Sequence, residues 1–314
     1  MKMAIEITTL LTLIVSLIVV IKSADYAVQS ISSYARTVGI SDYLIGFLIV
    51  SVGTSLPELS TAITASLAKA GTLVVGDVFG ANIIDITVVL GLMAIVGRKI
   101  KLKSNIAGDT FFVTIAVAML PLLLGVDGVL GRFDGFVLIV AFVLYIIRLW
   151  NKEGKLGRIK KDVPFAKIYK DMLVFGISVP VLLLSANYLV GSAIKLAQAF
   201  NVSPILIGIT VIAIGTTTPE LSVEIKSVLK GHKDVGFGDL IGSVMVNSSL
   251  VLGLAAIINP ITFQLKLFLP AASFMITSLF IGLLFLKNKH NTWQEGIGLL
   301  LLYATFILTE VVFA

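Results

Sequence analysis

Two six-residue stretches carry the chemistry: Gly53-Thr-Ser-Leu-Pro-Glu58 and Gly215-Thr-Thr-Thr-Pro-Glu220. Each places a glutamate directly after a proline inside a long apolar run. Proline has no N–H, so the carbonyl four residues back, that of Gly53 or Gly215, loses its helical donor. Beside those carbonyls lie the hydroxyls of Thr54, Ser55, Thr216 and Thr217. One broken turn therefore offers a carboxylate, hydroxyls and an unpaired carbonyl, an all-oxygen ligand set suited to a hard cation. The chain has no cysteine, and its two histidines, His232 and His290, fall in expected loops. Thiolate ligands are excluded and an imidazole site inside the apolar spans is disfavoured, which selects Ca²⁺, Mg²⁺, Na⁺ or K⁺ over Zn²⁺ or Cu²⁺.

Further acidic and amide groups follow each stretch. Gly76-Asp-Val-Phe-Gly80 recurs as Gly238-Asp-Leu-Ile-Gly242, and one to two turns later come Asp85 and Asn247. Asp77 and Asp239 are read as falling in the first turn of their helices, where an aspartate also serves as a plain helix start. Glu224 lies one turn after Glu220 and is assigned a cavity-lining or solvent role rather than coordination. All these motifs, with Ser23-Ala-Asp-Tyr26 against Ser185-Ala-Asn-Tyr188, recur at one gapless offset of 162 residues. A constant offset across several motifs marks an internal repeat.

The elements that must position these groups are membrane helices. Of 314 residues, 57% are hydrophobic and 13% charged, and the mean hydropathy is +1.05. A lipid-solvated chain needs such a composition, and each span takes roughly 20 apolar residues. Such windows give about ten helices, near 4–36, 42–67, 73–97, 106–126, 130–150, 168–199, 203–229, 235–258, 264–286 and 294–313. The expected fold is all-α and integral to the membrane, in two five-helix repeats, 1–150 and 168–314, joined by a basic linker at 151–167. Five spans is an odd number, so the second repeat enters from the opposite side: the inverted plan of secondary transporters, whose site lies near the midplane. Nineteen of the 24 Lys and Arg residues sort to one side. The positive-inside rule makes that side cytoplasmic, with the central loop inside and both termini outside a cell membrane. This placement explains the net charge of +6 without nucleic acid.

At these motifs the sequence resembles the cation/Ca²⁺ exchanger superfamily, whose two α-repeats the Gly-Thr-x-x-Pro-Glu stretches match. The resemblance implies an antiporter with alternating access and no cofactor, in which Glu58 and Glu220 hold Ca²⁺ with the backbone carbonyls of Thr54 and Thr216. It also implies flanking monovalent-ion sites at the carbonyls of Ser51 and Ala213 with Ser55, Thr217 and Ser243. The partners are Ca²⁺, a monovalent counter-ion and the bilayer, and a monomer is expected. The chain departs from the sodium-coupled pattern in three places: Ala81 where serine is usual, Gly-Asp for Gly-Asn in both halves, and Asp85/Asn247 in exchanged positions. Fewer hydroxyls and more carboxylates tilt the counter-ion toward H⁺, with Na⁺, alone or with K⁺, as the alternative. A passive cation channel is a distant alternative. An intramembrane protease, suggested by Gly236-Phe-Gly-Asp239, lacks a second aspartate after tyrosine in a span, so no enzyme is expected.

Overall fold

The computed structural model describes residues 2–38, 51–97, 99–101, 106–153, 165–229, 233–287 and 290–313. The start of the second expected span (42–50) and most of the basic linker lie outside the described residues. Helix dominates, as it must where every backbone N–H and C=O needs a partner within its own segment. Helix α1 is Lys2–Val38. Helix α2 comes in two pieces, Ser51–Thr54 and Leu56–Leu67. Helix α3 runs over Gly71–Ile84, widens into a π turn at Asp85–Val89 and resumes over Leu90–Gly97. Helices α4 (Ile106–Leu124) and α5 (Arg132–Glu153) follow.

The second half repeats the order. Helix α6 is Phe165–Phe200. Helix α7 spans Pro204–Thr216, with a π turn at Gly208–Ile212, and then Thr218–Leu229 after a bend of 41°. Helix α8 covers Lys233–Met245, a π turn at Val246–Val251, and Leu252–Ile258. Helices α9 (Leu265–Lys287) and α10 (Trp293–Phe313) close the described chain. The π turns of α3 and α8 fall at equivalent positions, carrying Asp85 and Asn247.

By length and composition, four stretches among the described residues can cross a bilayer: Ile7–Ala27, Gly71–Gly97, Lys167–Phe200 and Gly236–Ile258. The bent α7 makes a fifth. Their burial divides them. The spans of α3 and α8 are 83% and 78% buried inside the protein, those of α1 and α6 only 28% and 33%. So α3 and α8 form the centre, while α1 and α6 pack along each other outside and turn Leu11, Val15 and Leu184 outward, where lipid accepts them.

Two expectations need correction. The fold is not purely α: Lys99–Lys101 (β1) pairs antiparallel with His290–Thr292 (β4), and Val129–Leu130 (β2) with Ile261–Thr262 (β3). These ladders tie helix ends together where the chain leaves the apolar zone and backbone groups need new partners. They also obey the repeat, since Lys99↔Thr292 moved by 162 residues becomes Ile261↔Leu130. Second, Asp77 and Asp239 do not start helices. Helix α3 opens at Gly71 and α8 at Lys233, so both aspartates sit six residues in. Glycine before aspartate resembles a helix start, but at Gly76 the glycine permits a close approach to the Ile205 backbone.

Candidate functional site

The site is assembled from two breaks and two π turns. In α2 the helix breaks at Ser55, with φ −82° and ψ 10°; in α7 it breaks at the equivalent Thr217, with φ −76° and ψ −4°. Pro57 and Pro219 stand in the first turn after each break, where a missing N–H is tolerated. Each break residue is bonded to both pieces: the Ser55 N–H donates to the Ser51 carbonyl (3.3 Å) and its carbonyl accepts from the Leu59 N–H (3.0 Å), while the Thr217 N–H donates to the Ala213 carbonyl (3.0 Å) and its carbonyl accepts from the Leu221 N–H (3.1 Å). The carbonyls of Gly53 and Gly215 face prolines that cannot donate. Leu17 of α1 lies directly over Gly215, so an outer helix covers the broken turn.

Around these breaks the polar groups converge. All thirteen residues singled out from sequence are buried: Ser51, Thr54, Ser55, Glu58, Asp77, Asp85, Ala213, Thr216, Thr217, Glu220, Asp239, Ser243 and Asn247. Thr216 Oγ1 donates to Asp77 Oδ1 (3.1 Å), and Thr54 Oγ1 to Asp239 Oδ1 (3.3 Å). These two bonds cross between the halves and exchange under the 162-residue offset. Each threonine also approaches a carbonyl of its own turn, Ser51 (3.2 Å) for Thr54 and Ala213 (3.4 Å) for Thr216. A hydroxyl has one proton, so it serves one acceptor well at a time. Thr54 Oγ1 lies 3.5 Å from Ser243 Oγ; the matching contact in the other half is missing because Ala81 has no hydroxyl.

Glu58, Asp85, Glu220 and Asn247 are different. Among the described residues none of their side-chain polar atoms has a hydrogen-bond partner, and the same holds for Ser51 Oγ, Ser55 Oγ and Thr217 Oγ1. Glu220 lies within electrostatic reach of Glu58, Asp85 and Asp239. Among the described residues no Lys, Arg or His is buried, so none of them sits beside these carboxylates in the core. A buried, unpaired carboxylate is costly in this setting and marks an ion path. No three His, Asp or Glu side chains among the described residues form a metal cage by themselves. A cation bound here must therefore also use hydroxyl and carbonyl oxygens, as the broken turns allow.

Thr61 escapes a reading of the sequence, and Glu224 departs from the solvent role offered for it. Thr61 Oγ1 donates to Asp77 Oδ2 at 2.8 Å. Its position one turn after Glu58 is the only sequence signal, and comparing the halves hides it because its repeat mate is Val223. Glu224 is not solvated: it is 0% exposed, with both carboxylate oxygens unpartnered. Its helix packs against α8 and the second part of α3, which close over it.

The unequal support of the two aspartates gives a prediction. Asp77 receives Thr61 and Thr216, whereas Asp239 receives only Thr54. A hydrogen bond to a charged group contributes about 1.5–3 kcal/mol. Thr54→Val is therefore expected to lower the melting temperature of the purified protein by several degrees, and more than Thr216→Val does. Equal shifts in a thermal unfolding assay would contradict this account.

The chain is similar to known membrane proteins over most of its length. The family described as sodium/calcium exchanger protein matches residues 8–151 and 170–312. The inner membrane protein YrbG of Escherichia coli is 36% identical over 259 residues, 79% of each chain. The sodium/calcium exchanger MaX1 of Methanosarcina acetivorans is 25% identical across 95% of this chain and 97% of its own. A solved structure of the sodium-calcium exchanger NCX_Mj superposes with a TM-score of 0.68 at 26% identity, covering 96% of this chain and 99% of that one.

Proposed function

The chain belongs to the sodium/calcium exchanger protein family, and from that premise we propose that it exchanges Ca²⁺ for Na⁺ at a site between Glu58 and Glu220. The observation that carries the choice of Na⁺ is the trio of buried hydroxyls at Ser51, Ser55 and Thr217, none with a protein partner. Leaving a buried hydroxyl unpaired costs free energy. An alkali cation beside the broken turn supplies what they lack, whereas a proton on a glutamate satisfies at most one of them.

In this reading Ca²⁺ lies between the two glutamates, with the Thr54 and Thr216 carbonyls and Asp85 or Asn247 completing its oxygen shell. Two carboxylates this deep need positive charge beside them, so release of Ca²⁺ favours entry of monovalent cations. Those cations take the flanking oxygens of Ser51, Ser55, Ala213, Thr217 and Ser243, while Asp77 and Asp239 hold the two threonines in place. The halves 1–150 and 168–314 act as inverted repeats about the site. The exchanging Thr–Asp bonds and the paired ladders support this, because each contact reappears 162 residues on. Sliding of α1 and α6 over the central bundle switches access. The charge bias supports a plasma-membrane orientation with the central loop in the cytoplasm.

A second reading, Ca²⁺ exchanged for H⁺, is the one toward which the sequence tilts. It is favoured by the six carboxylates buried around the site, Glu58, Asp77, Asp85, Glu220, Glu224 and Asp239, with no buried base among the described residues. Ca²⁺ uptake into proteoliposomes separates the readings. An outward Na⁺ gradient at equal pH is expected to drive uptake. Uptake driven by a pH gradient alone, in Na⁺-free medium, would instead establish H⁺. Ca²⁺ conductance without any counter-ion gradient would replace both with a channel.

A further inference from the structure

The six carboxylates buried around the site exceed what a symmetric two-glutamate site requires, and two of them break the repeat; a seventh buried carboxylate, Glu310, lies near the end of α10. Glu58 is the mate of Glu220, and Asp77 of Asp239. The mate of Asp85 is Asn247, and the mate of Glu224 is Ala62; neither mate is charged. Each half thus adds one carboxylate that the other half does without. The fold brings the two additions together. The Thr218–Leu229 part of α7 packs against the π turn Asp85–Val89 and against Leu90–Gly97. Glu224 lies within electrostatic reach of Asp239 and, after it, of Asp85.

The chemistry of this second pair is unfinished. Both side chains are 0% exposed, and none of their four oxygens has a protein partner. The other extra aspartates differ, because Asp77 and Asp239 each receive a threonine hydroxyl. Packing does not call for a carboxylate at position 224, since the equivalent Ala62 is equally buried. A buried carboxylate without a donor is stabilised by a cation. Asp85 also opens a π turn, a departure from the regular ladder that recurs at functional sites. Beyond Glu224 the helix continues toward exposed Lys226, so Glu224 lies between Glu220 and Lys226 along that helix.

We infer that Asp85 and Glu224 form a second cation station beside the Glu58/Glu220 pair, taking one hard monovalent cation, Na⁺ or K⁺. Oxygen-only ligands select a hard ion. A single charge suits two carboxylates that do not extend to a three-acid cage, and a second divalent ion next to Ca²⁺ would be repelled. The station rests on the antiport reading but is tested by binding, so its failure is distinct from a failure of transport.

The experiment is thermal stabilisation of purified, detergent-solubilised protein in Ca²⁺-free buffer. NaCl and KCl are titrated separately, with choline chloride holding ionic strength constant. The wild type, Glu224→Ala, Glu224→Gln and Glu224→Asp are compared, and the near-isosteric Gln variant serves if Ala disturbs folding. For one alkali ion, Ala and Gln are expected to raise the midpoint about tenfold, the scale of losing one oriented group at a metal site. Asp should retain most of the response, and the Ca²⁺ midpoint should stay near the wild-type value in all variants. The arm that shifts names the ion. Alkali midpoints unchanged in both Ala and Gln would overturn the station, including the case in which Glu224 only binds a proton. An equal shift in the Ca²⁺ midpoint would overturn it as well, by placing Glu224 in the Ca²⁺ site.

Discussion

Glu58→Gln and Glu220→Gln are each expected to cut Ca²⁺ exchange in proteoliposomes by a factor of at least about 100. Removing one member of a buried charged pair costs about 2–5 kcal/mol or more, and every 1.4 kcal/mol is tenfold. Glutamine keeps the shape and one carbonyl oxygen but removes the charge, so the protein should fold and fail to bind. Both glutamates are buried with no hydrogen-bond partner among the described residues, as the proposed cation site requires. Thermal stabilisation by Ca²⁺ should vanish with transport in both variants. Exchange at the wild-type rate in either one would remove that glutamate from the site.

The burial of that pair is legible in the sequence because glutamate after proline in an apolar run has few structural explanations. The broken turns were legible too. Pro57 and Pro219 cannot donate, and the structure breaks two residues before each, at Ser55 and Thr217. Helix limits followed from hydrophobic windows: 168–199 was expected and Phe165–Phe200 is found. The depth of Asp77 and Asp239 was not legible. Local sequence does not say whether a Gly-Asp pair opens a helix or continues one, and Gly71 opens it here. The π turns carry no distinctive residues, since Asp-Ile-Thr-Val-Val and Val-Asn-Ser-Ser-Leu-Val would both fit an ordinary helix. The burial of Glu224 is decided by α3 and α8 packing over it, a long-range contact that spacing along α7 does not encode. The ladders of two or three residues are too short to leave a period-two pattern.

The Gly76-Asp77-…-Gly80 motif leads to the other large effect, on folding as well as transport. At Gly76 a Cβ would lie 2.3 Å from the carbonyl oxygen of Ile205; at Gly80, 2.6 Å from the Ala213 Cβ and 2.7 Å from the Ile209 carbonyl oxygen. These neighbours are backbone or short side chain, so they cannot swing aside. The close crossing of α3 and α7 is also what lets Asp77, between the two glycines, reach Thr216 at 3.1 Å. Overfilling a packed interior costs typically 1–3 kcal/mol and more where backbone must move, against a total stability of about 5–15 kcal/mol. Gly76→Val and Gly80→Val are therefore expected to yield little monodisperse protein on size-exclusion chromatography. Gly176→Val on α6, where a Cβ meets nothing within 4 Å, should behave as wild type. Gly80→Ala is the sharper test, because its single added carbon presses on Ala213, whose carbonyl flanks the proposed ion path. It should fold with a lower melting temperature and lose most Ca²⁺ exchange. If Gly80→Ala melts and transports like the wild type, the crossing tolerates separation and does not fix the geometry of the site.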